Sequence, residues 1–457
     1  MTFTAVKPID GSAFGDAISE DSEAHVSALI DKAAAVAHQL RTLSPADHGK
    51  LLRDIAAAIE AERDSLIISA CSETALPEAR IGGEITRTTV QFIRFAELIE
   101  SGNHLKVVID KADPNYSPAP RPDLRKLNQP LGVVAIFAAS NFPLAFSVAG
   151  GDAASALAGG NAVVAKAHPS HPNTCAIVAK AVKKALAENG ISTDAFSIVQ
   201  GTNPQITHWL ATHPAVQAIG FTGSEQVGRI LVKLGAERSN PIPVFAEMGS
   251  LNPLFITEGA IKDRSETLAK GLVDSALLGS GQFCTKPGLV FLPGNSEFFA
   301  TMKSYLATLS VAPLLSKSIA ERYSKAIAEL STISGVEVLA GSSNDSGFGV
   351  TPTFFITTWE IAQANPHLLE EHFGPTTVLI ATEPSRYRDI ALALPGQLTT
   401  TIQGVEGDDV DSLLEILAEK SGRVIWNGFP TGVAVTAAMN HGGPQDANPW
   451  KVPQQIN

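Results

Sequence analysis

Four short apolar runs alternate with helical stretches between Val133 and Leu234, and this alternation narrows the possible folds more than any other feature of the chain. Val133-Val134-Ala135-Ile136-Phe137, Ala162 to Ala165, Phe196 to Val199 and Ala218 to Phe221 are too short for helices and read as buried strands. The stretches Pro143 to Ala158, Asn173 to Asn189, Gln205 to Ala211 and Ser224 to Leu234 are expected to be helices. Strands separated by helices pair in parallel through right-handed crossovers, which gives an open α/β sheet. Ligands of such sheets sit outside the carboxyl ends of the strands. That rule puts Asn141, Lys166 and Gly223-Ser224 on one rim.

Before this unit, His25 to Gly102 is helical in pattern, with Ser44-Pro45 as a helix start and further helices at Glu62 to Glu73 and Gly82 to Ile99. Lys111 to Pro130 holds five prolines and is expected to be a loop or edge-strand excursion. A second α/β unit is expected to begin at Val244-Phe245-Ala246. It continues through Leu254 to Ile256, a helix over Ser265 to Leu278, the strand Leu289 to Leu292, and later strands at Val336 to Leu339 and Thr377 to Ile380. Tyr323 to Leu330 and Asp411 to Lys420 are its later helices. A chain of 457 residues has room for such a pair of lobes, each with a core.

The net charge of −12 argues against a nucleic-acid or anionic-membrane surface, since both need clustered Lys and Arg. Cys71, Cys175 and Cys284 are odd in number and far apart, without the spacing of a disulfide framework or a zinc site. The start of the chain lacks the layout of a signal peptide, and the apolar region Leu131 to Ala165 is broken by Asn141, Pro143, Asp152 and Asn161. A soluble cytoplasmic protein with no metal is the expectation.

Gly279-Ser280-Gly281-Gln282-Phe283-Cys284-Thr285 sets a cysteine on a tight turn between a helix end and a strand. Such a cysteine is either a small buried hydrophobe or a displayed nucleophile. Phe221 to Gly228 is a strand, a glycine turn and a helix start, which suits either a plain β-α turn or an anion on free amides. Lys166 ends a strand as a solvated charge or as a ligand for ribose or phosphate. His168-Pro169 follow it where some dinucleotide enzymes place an acid for the ribose. With no carboxylate there, a 2′-phosphate meets no repulsion, and NADP is favoured over NAD. Glu247 ends an apolar strand as a salt-bridged residue or as a general base. Glu371 precedes His372-Phe373-Gly374-Pro375, the usual composition of a helix end.

Taken together, Asn141-Phe142-Pro143, Val163 to Lys166, Phe221 to Gly228, Glu247-Met248-Gly249, Gly281 to Cys284 and Glu371 to Pro375 resemble the NAD(P)-dependent aldehyde dehydrogenase superfamily, in that superfamily's order. Ala138 to Ser147, Ser280 to Gly288 and Trp426 to Val433 resemble the α-ketoglutaric semialdehyde (2,5-dioxovalerate) dehydrogenases within it. The resemblance implies two open parallel-sheet lobes, Rossmann-like and catalytic, with an oligomerisation arm. Residues 1–111 and 132–245 would bind the dinucleotide, 246–436 would form the catalytic domain, and 112–131 with 437–457 would form the arm. The arm is expected to lack its last strand, because the chain stops at Asn457, which puts the homo-oligomer of the family in question.

The resemblance also implies roles. Cys284 attacks the aldehyde, Asn141 steadies the oxyanion and Glu247 activates the water that releases the acid. Lys166 and His168 serve the adenosine ribose, Gly223 and Ser224 the diphosphate, and Glu371 and Phe373 the nicotinamide ribose. Arg94, Arg121 and Arg125 are candidates for a substrate carboxylate. Two other readings compete: a cofactor-binding but inactive or unstable homologue, and a cysteine acyl-transfer or esterase-like enzyme without redox.

Overall fold

The computed structural model describes residues 1–444 and 447–449. Its strands are β1 Thr2–Val6, β2 Ala13–Ser19, β3 Val108–Asp110, β4 Leu124–Lys126, β5 Val133–Phe137, β6 Ala162–Lys166, β7 Phe196–Val199, β8 Val216–Thr222, β9 Val244–Glu247, β10 Leu254–Ile256, β11 Leu289–Leu292, β12 Glu337–Ala340, β13 Thr353–Thr358, β14 Thr376–Ala381, β15 Gln397–Gln403 and β16 Ser421–Trp426. Its helices are α1 Glu23–Arg41, α2 Pro45–Ala61, α3 Arg63–Thr74, α4 Glu78–Ser101, α5 Gly151–Ala158, α6 Pro172–Glu188, α7 Gln205–Thr212, α8 Glu225–Ala236, α9 Glu258–Leu277, α10 Ser296–Leu306, α11 Lys317–Leu330, α12 Trp359–Ala364, α13 Tyr387–Ala393 and α14 Asp411–Lys420.

The first lobe is built on a five-stranded sheet in the order β7-β6-β5-β8-β9, parallel throughout. Both faces are covered, as a parallel sheet requires. Val134 and Ile136 of β5 enter the core that contains Phe92, Leu157 and Val182. Val133, Ala135 and Phe137 of the same strand enter the core that contains Ile30, Leu210 and Leu231. The second lobe carries a seven-stranded sheet in the order β12-β13-β14-β11-β10-β15-β16, in which only β12 runs antiparallel. Phe255 and Phe291 stack at 4.9 Å on one face, and Leu254, Val290 and Leu292 fill the other.

Three expectations need correction. The strand Val244–Glu247 pairs with β8, so it closes the first sheet and does not open the second unit; the second sheet begins at Leu254. Its buried face packs with Leu231 and Ile219, which an isolated apolar run cannot reveal. The helix expected from Pro143 starts only at Gly151. The buried Glu84 carboxylate accepts the Leu144 and Ala145 backbone N–H groups at 3.0 and 3.4 Å, and Ala139 N–H takes the Phe146 carbonyl at 2.9 Å. Those bonds use the groups a helix would need. The helix expected from Ser265 begins at Glu258, capped by the Thr257 hydroxyl, and breaks its backbone geometry at Arg264.

The Pro-rich excursion Lys111 to Pro130 contains β4, which pairs antiparallel with β3 just before it to form a two-stranded ribbon. Val108, Ile109 and Leu124 on it are each about half exposed. Part of the expected C-terminal arm, 445–446 and 450–457, lies outside the described residues. Among the described residues, no helix is long and apolar enough to cross a membrane.

Candidate active site

The strand ends of the first lobe and the cysteine turn of the second meet at one cleft of about 540 Å³. All nine candidate residues line it: Asn141, Lys166, His168, Gly223, Ser224, Glu247, Cys284, Glu371 and Phe373. Its volume lies within the range of small-molecule and cofactor sites, about 300–1,000 Å³. The sequence did not anticipate that α11 would contribute Ile319, Arg322 and Tyr323 to the wall.

Cys284 is held by its backbone. Gly279, Ser280 and Gly281 all take left-handed angles, with φ of 58°, 57° and 69°. The Ser280 hydroxyl, bonded to the Ala312 carbonyl at 2.8 Å, holds the one non-glycine residue among them. A Cβ at Gly281 would run into the Gly374 carbonyl, so the cysteine turn packs backbone to backbone on the loop that follows Glu371. Lys286 stitches the same two segments together by donating to the His372 and Thr376 carbonyls at 2.9 and 2.8 Å. Asn252, itself at φ 45°, donates to the Cys284 and Lys286 carbonyls at 2.7 and 2.9 Å. Gly281→Ala is therefore expected to lower stability by about 2–4 kcal/mol, combining a strained φ with a backbone clash. The midpoint of chemical denaturation checks this, and an unchanged midpoint contradicts it.

Around the sulfur stand an acid, an amide and a histidine. The Cys284 sulfur, a Glu247 oxygen and a His441 nitrogen all lie within 4.8 Å of one another. His441 Nε2 is 3.1 Å from Glu247 Oε2 and 3.7 Å from Cys284 Sγ. The Asn141 side-chain amide donates one hydrogen to the Gln282 carbonyl at 2.9 Å. Among the described residues its second hydrogen and the Cys284 backbone N–H have no acceptor. His441 was missed in the sequence because nothing local marks it; Asn440-His441-Gly442-Gly443 reads as a loop, and 157 residues separate it from the cysteine.

Burial pushes the Cys284 thiol well above the ordinary thiol range, and the negative charges of Glu247 and Glu371 push the same way against Arg87. The resting sulfur is thus a protonated thiol at neutral pH and needs a base. Alkylation of Cys284 by iodoacetamide, followed on its peptide by mass spectrometry, should keep accelerating above about pH 8.5, the value for an unperturbed thiol. A plateau at that pH contradicts the burial argument.

At the other end of the cleft, burial lowers the Lys166 ammonium to about 8, although it donates to the Ala167 and Gly201 carbonyls at 3.0 and 2.7 Å. His168, stacked on His171 at 5.6 Å, is held well below its ordinary value by burial and so adds no charge. Ser224 stands at the N-terminus of α8 without using its hydroxyl as a cap, so the first amides of that helix are open to an anion. Burial raises the Glu371 carboxyl to about 7 and lowers Lys286 to about 8, each partly offset by the other's charge.

The three arginines proposed for a substrate carboxylate are not in the cleft lining. Arg94 is paired with Glu97, Arg121 with Asp110 and Arg125 with Asp123, on exposed surfaces or the ribbon. Sequence position alone cannot distinguish these from Arg87, seven residues before Arg94 on α4. The Arg87 guanidinium lies 5.0 Å over the Phe146 ring, its Nε is buried without a partner, and its charge interacts with Cys284, Glu84 and Glu247. No ion pair engages it among the described residues.

Residues 1–446 match the Aldehyde dehydrogenase family. The chain is 40% identical over 446 residues to alpha-ketoglutaric semialdehyde dehydrogenase 2 of Azospirillum brasilense, covering 96% of this chain and 84% of that one. It is 39% identical over 427 residues to alpha-ketoglutaric semialdehyde dehydrogenase of Acinetobacter baylyi, covering 91% and 81%. Its fold superposes on lactaldehyde dehydrogenase from Escherichia coli with a TM-score of 0.85 at 21% identity, covering 98% of this chain and 91% of that one. With a displayed cysteine, an acid beside it and a match that spans both lobes, the chain belongs to the aldehyde dehydrogenase family.

Proposed function

We propose that this chain oxidises α-ketoglutaric semialdehyde to the corresponding dicarboxylate with NADP or NAD, using Cys284 as nucleophile. One observation carries the reading. A single cleft is lined by a sulfur, an acid and an amide together with a lysine and an open helix N-terminus. The identity of 39–40% to two semialdehyde dehydrogenases supports the substrate.

The residues fit a dinucleotide. Lys166 and His168 would meet the adenosine ribose, Gly223 and Ser224 the diphosphate, and Glu371 with Phe373 the nicotinamide ribose. Among the described residues the carboxylates lining the cleft are Glu247 and Glu371; Glu247 ends β9, three strands from the β6 strand that ends in Lys166, and Glu371 belongs to the second lobe. Glu20, whose charge acts on Lys166, stands outside the cleft lining, so a 2′-phosphate would meet the lysine with no carboxylate beside it among the described lining residues, which favours NADP. In this reading the five-stranded lobe binds the dinucleotide and the seven-stranded lobe carries the nucleophile. The apolar ribbon of β3 and β4 serves a homo-oligomer, and the free cysteines suit a reducing cytoplasm.

Glu247 takes the thiol proton as the sulfur adds to the aldehyde carbon. The oxygen of that carbon becomes an oxyanion, received by the free hydrogen of the Asn141 amide and by the Cys284 N–H. Loss of one such donor costs about 3 kcal/mol of transition-state stabilisation. The nicotinamide, when bound, supplies the acceptor for the hydride. Glu247 then passes the thiol proton to solvent, and the acyl group left on Cys284 as a thioester is hydrolysed by water that the regenerated carboxylate deprotonates.

Arg87 lies outside the cleft lining, which holds Arg322, but its charge reaches Cys284 and its Nε has no partner among the described residues, so it is the cation placed to meet the far carboxylate of a semialdehyde acid. Arg87→Gln should lower kcat/KM for α-ketoglutaric semialdehyde roughly tenfold to hundredfold, the worth of one charged hydrogen bond. A neutral aldehyde of the same length should lose far less, and equal losses contradict the assignment. The function itself is tested by absorbance of the reduced cofactor with this substrate, NADP against NAD. Absence of reduction with any aldehyde sinks it.

A further inference from the structure

Cys284 and Glu247 address the same nitrogen of His441. Nε2 is 3.7 Å from the sulfur and 3.1 Å from the carboxylate, while Nδ1 is buried without a partner. In a nucleophile–histidine–acid relay the two partners take opposite ring nitrogens, because each nitrogen holds one proton or one lone pair. One proton on Nε2 cannot serve sulfur and carboxylate at once. An ion placed between all three can.

The distances from His441 Nε2, 3.1 Å to the carboxylate and 3.7 Å to the sulfur, are close to the edges of a tetrahedron with bonds of about 2.0–2.3 Å, and the sulfur and carboxylate, within 4.8 Å of each other, need only close slightly around an ion. Sulfur, imidazole and one carboxylate suit Zn²⁺ or Co²⁺, whereas Mg²⁺ and Ca²⁺ take oxygen ligands. A thiolate and a carboxylate also neutralise a dication, which matters where Glu247 and His441 are both buried. Among the surrounding charges, Glu371 and Asp152 favour a cation there, and Arg87 and Arg423 oppose it. The ligands come from three separate segments: the turn after α9, the end of β9 and the loop that follows β16.

We propose that Cys284, Glu247 and His441 form a reversible inhibitory site for Zn²⁺. As the S–Zn bond forms, the thiol proton leaves to solvent and no electron is transferred. While the ion stays, the nucleophile and the base are both withdrawn from the aldehyde, and a chelator restores them. This goes beyond the reading of the substrate and does not depend on it, because the ion can be seen without turnover.

The test uses the reduced, metal-free chain. Co²⁺ should give sulfur-to-cobalt charge-transfer absorption in the near ultraviolet and the intense visible bands of tetrahedral cobalt. Cys284→Ser should abolish the charge-transfer band. His441→Gln should weaken Zn²⁺ binding by at least about tenfold, read by competition with a chromophoric chelator. Zn²⁺ should block aldehyde oxidation and Mg²⁺ should not. The site is overturned if Zn²⁺ binds the parent and His441→Gln equally, or if Co²⁺ gives no charge-transfer band in the parent. If His441→Gln fails to fold, the parent and Cys284→Ser cobalt spectra decide alone.

Discussion

Cys284→Ala should reduce aldehyde oxidation by roughly four orders of magnitude or more, since no other group near the aldehyde position can form the covalent intermediate. Cys71 is partly exposed and Cys175 is fully buried against His171, bonded at 3.3 Å, and neither lines the cleft. Cofactor affinity should survive, because Lys166, the glycine turn and the α8 N-terminus belong to the five-stranded lobe and do not depend on the sulfur. Fluorescence of bound reduced cofactor measures that half, and steady-state absorbance measures the first. Retained turnover would remove the sulfur from the chemistry; lost cofactor binding would mean that the turn props the whole cleft.

Glu247→Gln is expected to separate the two halves of the reaction. Its carboxylate sits within 4.8 Å of the sulfur, close enough to serve first the thiol and then a water at the acyl carbon. Loss of a general base typically costs about 10²–10⁴-fold. Glu371, the other cleft carboxylate whose charge reaches Cys284, is engaged with Lys286, which leaves Glu247 as the base for thioester hydrolysis. Stopped-flow absorbance should therefore show a burst of reduced cofactor that is slowed, because water must take the thiol proton in place of the carboxylate, but still reaches about one equivalent before near-arrest. A linear trace at the parental rate would contradict the role, and a loss of the burst would place Glu247 only in the first half.

Much of this was legible because the first lobe obeys a local rule. The runs at Val133, Ala162, Phe196 and Ala218 are strands buried on both faces, and each strand's end points its next residues at the same rim. Asn141, Lys166 and Gly223-Ser224 were placed on that rim by topology alone, whereas Glu247 was not, because its strand read as the start of the second unit. What stayed hidden depends on contacts far apart in sequence. Val244–Glu247 looked like the start of a new unit because its partner, β8, lies beyond an intervening helix. The segment Pro143 to Gly150 looked helical until Glu84, some 60 residues earlier, took its amides. His441 and Arg87 carry no motif, and only the burial of the one beside the cysteine and the charge of the other acting on it distinguish them from ordinary loop and helix residues. The arginines proposed from sequence failed for the complementary reason: each has a nearby carboxylate that the linear chain does not advertise.

The central claim, that a single sulfur carries the aldehyde carbon through its oxidation, is met most directly by trapping what that sulfur holds. Glu247→Gln would be mixed with α-ketoglutaric semialdehyde and oxidised cofactor, quenched in acid and digested, and its peptides weighed. The account predicts an acyl group on the Cys284 peptide in proportion to the cofactor reduced. Reduced cofactor with that peptide unmodified, or with the acyl group on another residue, would contradict it.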